Sequence, residues 1–232
     1  MASVRSRTSS KKRKRKASSG SSPTRSRAAT SFSPPSREAV AAAAGRGLRD
    51  LIGPDLEVVF CGINPGLYSA ATGHHFARPG NRFWPALHAS GFTPRRLHPS
   101  EEAQLLRLGY GLTNLVNRAT ASADELSQEE LRRGAERLRR KVRRWRPRTV
   151  AFLGLGAYRL AFGRAKATLG EQQERLACAR VWVLPSPSGL NANYQMAALV
   201  ELFRALRRSA WNPPRITTST AVRPTGRRSP SS

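Results

Sequence analysis

Cysteine is scarce in this sequence: among its 232 residues only Cys61 and Cys178 carry a thiol. Two cysteines so far apart in sequence form neither a metal-binding knuckle nor a disulfide framework, so zinc and iron–sulfur sites are not expected and a reducing compartment is favoured. Long apolar runs are missing too, since no stretch approaches the roughly 18 consecutive apolar residues of a membrane span. The N-terminus is charged rather than apolar, which argues against a signal peptide. We therefore expect a soluble, intracellular protein.

Acidic residues are few, at 14 Asp plus Glu against 41 Lys plus Arg, and the formal net charge is +27. A surplus of this size is typical of proteins that bind a polyanion, most often nucleic acid. Its distribution is uneven. Residues 1–37 contain 11 Lys or Arg and no acid, residues 209–232 contain four Arg and no acid, and the remaining 171 residues carry a net charge of +12. Somewhat more than half of the surplus therefore lies in the two ends of the chain.

The two ends are also poor in large apolar residues, which leaves too little surface to bury against the entropy of ordering the chain. We predict disordered tails over residues 1–37 and 209–232 and one folded domain over residues 38–208. Residues 11–16, Lys-Lys-Arg-Lys-Arg-Lys, match a nuclear localisation cluster and equally a DNA-tethering arm in a cell without a nucleus. We expect the protein to be associated with DNA, in the nucleus if the source cell has one and otherwise in the cytoplasm or nucleoid.

Three short apolar runs, at residues 57–62, 149–154 and 180–185, are bounded by glycine and proline, as expected of buried strands. They are continuously apolar rather than alternating, which favours a parallel sheet covered on both faces. Helical spacing follows in between, most clearly over residues 127–145, and also over residues 81–90, 156–162 and 193–208. Alternation of strand and helix predicts an α/β domain with a central sheet between helix layers.

Ligands of such sheets bind beyond the carboxyl ends of the strands, where two unusual loops fall. Residues 62–67, Gly-Ile-Asn-Pro-Gly-Leu, leave the first strand, and residues 185–191, Pro-Ser-Pro-Ser-Gly-Leu-Asn, leave the last. Glycine and proline fix a tight path that holds Asn64 at the mouth of a pocket. An amide cannot be a general base, but it can orient a water and stabilise charge. Cleavage of a base–sugar bond fits, with Phe76 available to stack on the base.

Five segments occur in the order and approximate spacing of one known family. They are residues 62–67, residues 73–76 (Gly-His-His-Phe), residues 79–84 (Pro-Gly-Asn-Arg-Phe-Trp), residues 111–116 (Gly-Leu-Thr-Asn-Leu-Val) and residues 185–191. Together they resemble the mismatch-specific uracil/thymine-DNA glycosylase family of the uracil-DNA glycosylase superfamily, over roughly residues 48–207. The resemblance implies a three-layer α/β sandwich, for which we expect a mostly parallel, four-stranded sheet. It also implies monofunctional excision of uracil, and in some members of thymine or modified pyrimidines, opposite guanine in duplex DNA.

The resemblance also assigns roles to residues of the pocket. Asn64 stands at the position of the family's catalytic asparagine, which places the attacking water, and Phe76 at that of the aromatic ring that stacks on the flipped base. Ser69 stands where family members set tolerance for a 5-substituent, His75 matches a pocket histidine of the thymine-excising branch, and Asn114 aligns with a variable polar position. The substrate-binding residues implied are Ile63, Gly66, Ser69, His75, Phe76 and Asn114.

In the second loop the resemblance implies a wedge that enters the space left by the flipped nucleotide and contacts the orphaned guanine. Its DNA-binding residues are Ser188, Gly189, Leu190 and Asn191, and an apolar Leu190 there replaces lost base stacking. Family members commonly have asparagine before this Pro-Ser-Gly-Leu run, where the present chain has Ser186.

Other interpretations remain open for several residues. Asn64 could simply stabilise a turn, Phe76 could belong to the core, and Arg82 could contact a phosphate or a carboxylate. Adjacent His74 and His75 could be a metal pair, although no suitably spaced acid or cysteine accompanies them. The basic run over residues 132–148, on the polar side of a helix, could follow DNA or be a solvated surface, and the second interpretation is favoured.

We expect a DNA glycosylase that acts as a monomer on double-stranded DNA with a mismatched or damaged base, without metal, cofactor or membrane. Within this class the alternative is a broader enzyme for uracil in single strands or for deaminated purines. Outside it stand a catalytically silent DNA-binding module and a protein that coats chromatin or RNA through charge alone.

Overall fold

A computed structural model of the chain describes residues 34–191 and 193–211. Along the chain, the helices and strands within these residues are α1 (Arg37–Ala41), β1 (Val58–Gly62), α2 (Leu67–Thr72), α3 (Phe83–Ala89), α4 (Gln104–Arg107), β2 (Tyr110–Asn114), α5 (Gln128–Trp145), β3 (Thr149–Leu153), α6 (Leu155–Phe162), β4 (Gly170–Leu176), β5 (Ala179–Leu184) and α7 (Met196–Trp211). Short 3-10 helices cover Pro99–Glu101 and Ala123–Glu125. No helix in the described part of the chain is long and apolar enough to cross a membrane.

The strands form one sheet in the order β2-β1-β3-β5-β4, in which β4 alone is antiparallel. The mostly parallel α/β architecture is confirmed, but the predicted count of four strands is wrong. The three apolar runs correspond to β1, β3 and β5, whereas no apolar run marks β2 or β4, the two edge strands. Strand β4, Gly-Glu-Gln-Gln-Glu-Arg-Leu, is polar and partly exposed, while β2 is fully buried. Charge on an edge strand hinders pairing with other chains, and it also removes the apolar signal of a strand.

Two apolar layers cover the sheet. On one face α3 and α7 pack around Phe60, Phe83 and Phe203, and on the other α5 and α6 pack around Leu138, Phe152 and Tyr158. Phe60 and Phe203 stack at 5.9 Å between ring centroids, and Phe60 meets Phe83 edge to face at 5.4 Å. These layers bury the continuously apolar strands on both faces, as the sequence pattern predicts.

Helix α5 begins where a capping box closes its first turn, since Ser127 Oγ accepts from the Glu130 backbone and Glu130 accepts from the Ser127 backbone. The helix packs closely on the segment after β2. A Cβ added to Gly134 would lie 2.5 Å from the Leu115 carbonyl oxygen, so glycine permits this approach. The segment held in this way carries residues 118–122, which reach the cleft described below.

The tails predicted over residues 1–37 and 209–232 lie almost wholly outside the described residues, as does the basic cluster at residues 11–16. At the margins, Ser36 caps α1, which packs on α2, and α7 extends to Trp211, three residues beyond the predicted boundary at 208.

Candidate active site

A cleft of about 540 Å³ opens at the carboxyl ends of the parallel strands. Ten of the eleven site residues predicted from the sequence line it: Ile63, Asn64, Gly66, Ser69, His75, Phe76, Asn114, Ser188, Leu190 and Asn191. Gly189 is the exception. It packs closely on the backbone of Gly80, since a Cβ added to Gly189 would lie 2.8 Å from the Gly80 carbonyl oxygen.

The amide of Asn64 is held in one orientation. Its Nδ2 donates to the Arg118 carbonyl oxygen at 2.8 Å and to Thr120 Oγ1 at 2.7 Å. The Arg118 carbonyl can only accept. Thr120 Oγ1 donates its hydrogen to the Ser122 carbonyl oxygen at 2.6 Å, so toward Asn64 it also accepts, and both partners therefore require the NH2 group of the amide. Among the described residues no donor contacts Asn64 Oδ1, which leaves this oxygen as the acceptor that Asn64 offers to the cleft.

The loop that supplies these two partners is itself anchored to α5. The Arg118 guanidinium pairs with Glu130 at 2.8 and 3.1 Å. That hydrogen bonding lowers the pKa of the Glu130 carboxyl to about 2, so the pair is charged on both sides at neutral pH. The capping residue of one helix thus helps to position the carbonyl that orients Asn64.

Gly62, which has no side chain, leaves room for the side chain of Asn114 in the cleft wall. Asn114 is the partner of Gly62 in the β1–β2 register, and an added Cβ on Gly62 would lie 2.6 Å from Asn114 Oδ1 and 3.4 Å from the Phe76 ring. Glycine at the end of β1 therefore makes room for both side chains. Asn114 is only 5% exposed and lies in the cleft wall.

Glu102 orders the two histidines. Its Oε2 accepts from the His75 backbone N–H at 2.8 Å and contacts His75 Nδ1 at 3.0 Å, while its Oε1 lies 3.3 Å from His74 Nδ1. Burial acts to raise the pKa of the Glu102 carboxyl, but the hydrogen bonds and charge of His75, with a further bond from His74, outweigh it and hold that pKa below its usual value. An ionised carboxylate only accepts, so the hydrogen on this edge of the His75 ring is on Nδ1.

The second ring nitrogen of His75, Nε2, is on the edge opposite Glu102, and the residue lines the cleft. His75 is 1% exposed, and Nε2 has no hydrogen-bond partner in the described part of the chain. A buried polar atom without a partner is costly, and the other such side-chain atoms among the described residues are Arg82 Nε and Trp182 Nε1.

Phe76 adopts an uncommon backbone conformation, with φ of 54°. A bulky residue at positive φ is strained, which is frequent in binding sites. One face of its ring is covered by Phe83 at 4.1 Å between centroids, and the ring also lines the cleft. The two interpretations of Phe76, core residue and stacking platform, are therefore both compatible with its position.

Ser69, on α2, accepts hydrogen bonds from the backbone of the segment around Phe76. Its carbonyl oxygen accepts from the backbone of Gly73 and His74, and its Oγ accepts from the Ala77 backbone at 3.1 Å. Ser69 thereby fixes the path of residues 73–77, in addition to contributing to the cleft wall.

The side chain of Arg82 bonds to backbone carbonyls and, among the described residues, to no carboxylate; a contact with a phosphate, the other alternative weighed from the sequence, stays a prediction. Its guanidinium donates to the backbone carbonyls of Ser188 at 2.7 Å, of Asn191 at 2.8 Å and of Tyr194. Its backbone N–H donates to the Pro187 carbonyl oxygen at 2.9 Å. Arg82 thereby anchors the second loop, residues 185–191, which we call the wedge loop. Leu190 of this loop lies at the cleft rim with 69% of its surface exposed.

Ser186 supports the same loop. Its backbone carbonyl accepts from Asn191 Nδ2 at 3.0 Å, and its Oγ accepts from the Ser188 backbone at 3.4 Å. The short hydroxyl at this position therefore contributes within the loop.

Several functional contributors are not evident from the sequence, namely Thr120, Glu102 and the clamping role of Arg82. They lie from 27 to 112 positions away in the chain from the groups they hold, so no local pattern marks them. Asp124 supplies the one carboxylate among the described cleft residues; it is exposed and contacts Ser122 Oγ at 3.1 Å. Within the described residues no group of three or more histidine, cysteine or acidic side chains is arranged to hold a metal ion.

Comparison with known protein families identifies one superfamily. The family model of the uracil DNA glycosylase superfamily matches residues 50–212 of this chain. Among solved structures, the chain is similar to a solution NMR structure from Methanosarcina acetivorans that is provisionally described as a uracil DNA glycosylase. The two are 20% identical with a TM-score of 0.48, over 70% of this chain and 98% of that one.

Proposed function

Because the chain belongs to the uracil DNA glycosylase superfamily, we propose that it is a monofunctional DNA glycosylase that excises uracil mispaired with guanine from double-stranded DNA. Such an enzyme hydrolyses the N-glycosidic bond and so initiates base-excision repair. The observation that carries the proposal is the fixed amide of Asn64, which presents Oδ1 to the cleft while Arg118 and Thr120 hold Nδ2. An acceptor in a set position can orient a water, although it cannot take its proton.

The reaction suited to this site separates bond breaking from water attack. The electrons of the N-glycosidic bond leave with the base, which becomes an anion, and the sugar becomes an oxocarbenium-like cation. Water held at Asn64 Oδ1 then adds to the anomeric carbon, and its proton passes to the departing base or to solvent. Asn64 thus contributes position and partial negative charge near the cation.

Other cleft residues fit the recognition of a flipped base. The ring of Phe76 offers a stacking surface, and His75 lines the same cleft, so the proposal assigns to its ring a polar contact with the edge of the base. Asn114 and the backbone near Ile63 and Gly66 supply further polar groups around the same space. The proposal assigns to Ser69, which also lines the cleft, the tolerance for a substituent on the pyrimidine.

The wedge loop supports a preference for duplex DNA with a weak base pair. Leu190 is exposed at the cleft rim and can occupy the space that a flipped nucleotide vacates. The proposal assigns contacts with the opposite strand to Ser188, Gly189 and Asn191. Flipping costs least for a mispaired base, so a G:U pair is favoured over A:U. Whether thymine or modified pyrimidines are also accepted depends on Ser69, His75 and Asn114.

The experiment uses an end-labelled G:U duplex, with alkali cleavage at abasic sites after incubation. We expect Asn64→Ala to slow excision by about a hundredfold or more, as the loss of one preorganised group does in other enzymes. Thr120→Val removes one of two restraints on the same amide and should cost about tenfold. DNA binding by both variants, measured on the same duplex, should remain close to that of the parent.

Asp124→Asn is the matched control, because it removes the charge of the one carboxylate of the described cleft, whose side chain contacts Ser122 Oγ and none of Asn64, Arg118 and Thr120. Equal excision by Asn64→Ala and the parent would refute the mechanism, and loss of excision in Asp124→Asn would assign water activation to Asp124 instead. Parallel assays on single-stranded uracil and deaminated purines test the broader alternative. A folded parent protein that binds the duplex and leaves uracil in place would be a silent binding module.

A further inference from the structure

The sheet has a second edge, opposite the cleft, where the parallel strands begin. Val58, Tyr110 and Thr149 stand side by side there, and Thr149 pairs with Arg180 at the start of β5. Helices α5 and α7 both end at this edge. Cys178, in the turn before β5, contacts the Val142 carbonyl oxygen in the last turns of α5. Ser209, near the end of α7, is hydrogen-bonded by Arg180 at 2.8 and 3.0 Å.

Seven exposed arginines gather at this edge, which we name the basic edge. They come from both helix layers and from the sheet between them, in the last turn of α5, the link to β3, the end of β4 and the end of α7. The basic edge comprises Arg143, Arg144, Arg146, Arg148, Arg175, Arg207 and Arg208.

These guanidinium groups are almost uncompensated. Among the described residues only Arg148 has a carboxylate partner, Glu57 at 3.3 Å. The Arg144 and Arg207 guanidinium groups instead lie over the rings of Trp145 and Trp211, at 4.9 and 5.6 Å from the ring centroids.

The rest of α5 behaves differently. Arg133 pairs with Glu129, Arg139 with Glu136 and Lys141 with Asp50, so three of the six Lys and Arg between residues 132 and 141 have a carboxylate partner. Among the described residues, cations without a carboxylate partner are therefore more concentrated at the basic edge, where six of seven have none, than along the rest of the helix. The sequence alone favours a solvated surface for the whole run over residues 132–148, whereas this unequal pairing points to the other interpretation, a contact with DNA, for residues 143–148 only.

The basic edge is too far from the cleft to contact the same stretch of duplex. Helix α5 has 18 residues and spans roughly 27 Å. Its first turn lies beside the cleft, since the neighbouring Ser122 and Asp124 line it, and its last turn lies at the basic edge. The two surfaces face opposite ways across the sheet.

We propose that the basic edge binds the phosphate backbone of a second DNA segment while the cleft engages the first. Guanidinium groups match phosphate geometry, and each phosphate they neutralise releases condensed counterions, which gives sequence-independent affinity. An edge five strands wide, at about 4.8 Å per strand, faces a stretch of duplex that carries about a dozen phosphates. Trp211, which is 58% exposed, adds an apolar surface beside Arg207. The consequence is that one molecule can bridge two duplexes, whether or not either contains a lesion.

The test measures bridging by the full chain. Two short lesion-free duplexes, one with a donor dye and one with an acceptor dye, are mixed with protein, and energy transfer reports molecules that hold both. The edge variant combines Arg143→Gln, Arg144→Gln and Arg146→Asn, the last because Arg146 is in the left-handed conformation that asparagine tolerates. The matched control combines Arg132→Gln, Arg133→Gln and Arg137→Gln, which removes three charges from the same helix nearer the cleft.

We expect the edge variant to need at least tenfold more DNA for half-maximal bridging, with a salt dependence shallower by about three phosphate contacts. The control variant should match the parent, and a third variant with lysine at positions 143, 144 and 146 should bridge nearly as well. Thermal melting shows that all variants are folded, and sedimentation shows that bridging is by single molecules.

Equal bridging by the edge and control variants would overturn the proposal, because bridging would then come from other charges of the chain. Excision from a short G:U duplex provides a second criterion. It should be unchanged in the edge variant, and a parallel loss of excision and bridging would show that the basic edge contacts the same duplex as the cleft, which also contradicts the proposal. Bridging is measured without a lesion, so the result is independent of whether the proposed uracil excision is correct.

Discussion

The carboxylate of Glu102 illustrates how one residue can prepare another for binding. It accepts from both the backbone and Nδ1 of His75, and its second oxygen contacts His74. The His75 ring is thereby fixed, with Nδ1 bound to Glu102 and Nε2 buried on the opposite edge. Glu102 itself does not line the cleft, so it acts through His75 as a positioning residue.

Replacing Glu102 separates hydrogen bonding from charge. Glu102→Gln keeps an oxygen that can accept from His75, whereas Glu102→Ala removes both acceptors. We expect Ala to lower uracil excision by about tenfold, the value of one or two hydrogen bonds, and Gln to lower it less. Single-turnover rates and duplex affinity on the same G:U substrate are the measurements. Equal losses in the two variants would show that charge, and not position, is what Glu102 supplies.

The lowered pKa of Glu102 also makes a prediction about pH. A carboxyl whose pKa is lowered by folding stabilises the protein above its ordinary pKa, and this stabilisation is lost as the pH falls through the lower, folded value. The parent should therefore exceed Glu102→Gln in melting temperature at neutral pH, and the gap should close at acidic pH. As the pH is lowered, the excision rate of the parent should not begin to fall at the ordinary pKa of glutamate, because the lowered pKa of Glu102 keeps its carboxylate ionised to a lower pH.

At the scale of elements, the wedge loop depends on a side chain from another segment. Arg82 precedes α3 in the chain and holds three carbonyls of residues 188–194. The loop has no regular secondary structure, so these contacts replace the backbone ladder that would order a strand or helix.

Arg82→Lys keeps the charge and loses the planar fork that reaches several carbonyls at once. We expect excision from a G:U duplex to fall about tenfold, because one or two charge-assisted hydrogen bonds are lost and the loop is less ordered. Faster amide hydrogen exchange over residues 186–191 should accompany the loss. Arg96→Lys, the same change at an exposed position outside the cleft lining, is the control. An Arg82→Lys variant with the parent's exchange and excision rates would show that the clamp is dispensable.

At the scale of the whole molecule, charge and selectivity lie in different places. The cleft and wedge loop are nearly uncharged, the basic edge is on the opposite side of the sheet, and residues 1–33 carry ten Lys or Arg with no acid. Attraction from the terminal charges is independent of base sequence and sensitive to salt. The selectivity for a lesion, in the proposed function, comes from the cleft alone.

Deleting residues 1–33 should therefore weaken DNA affinity and reduce its salt dependence, without changing the order of preference among lesions. The deletion ends before Ser36, because that residue caps α1. Affinity at several salt concentrations and excision from a panel of lesion duplexes are compared for the full and shortened chains. A changed lesion preference would mean that the terminal segment takes part in recognition.

Local sequence determined the frame of this protein. Continuous apolar runs predicted the strands β1, β3 and β5, helical spacing predicted α5, and the glycine–proline loops at the strand ends located Asn64 and Leu190. These features are visible in the chain because they depend on neighbouring residues and on which side chains avoid water. Two strands are not visible in this way: β4 is polar and partly exposed, and β2, Tyr-Gly-Leu-Thr-Asn, is buried but too mixed in polarity to form an apolar run.

Only the tertiary structure decided which groups meet across the chain. It brought Asn64 to Thr120, His75 to Glu102 and Arg82 to the wedge loop, and it gathered arginines from α5, β4 and α7 at the basic edge. Hydrogen bonds and ion pairs act over a few ångströms, and residues distant in sequence reach that range only after the sheet and its two helix layers have packed.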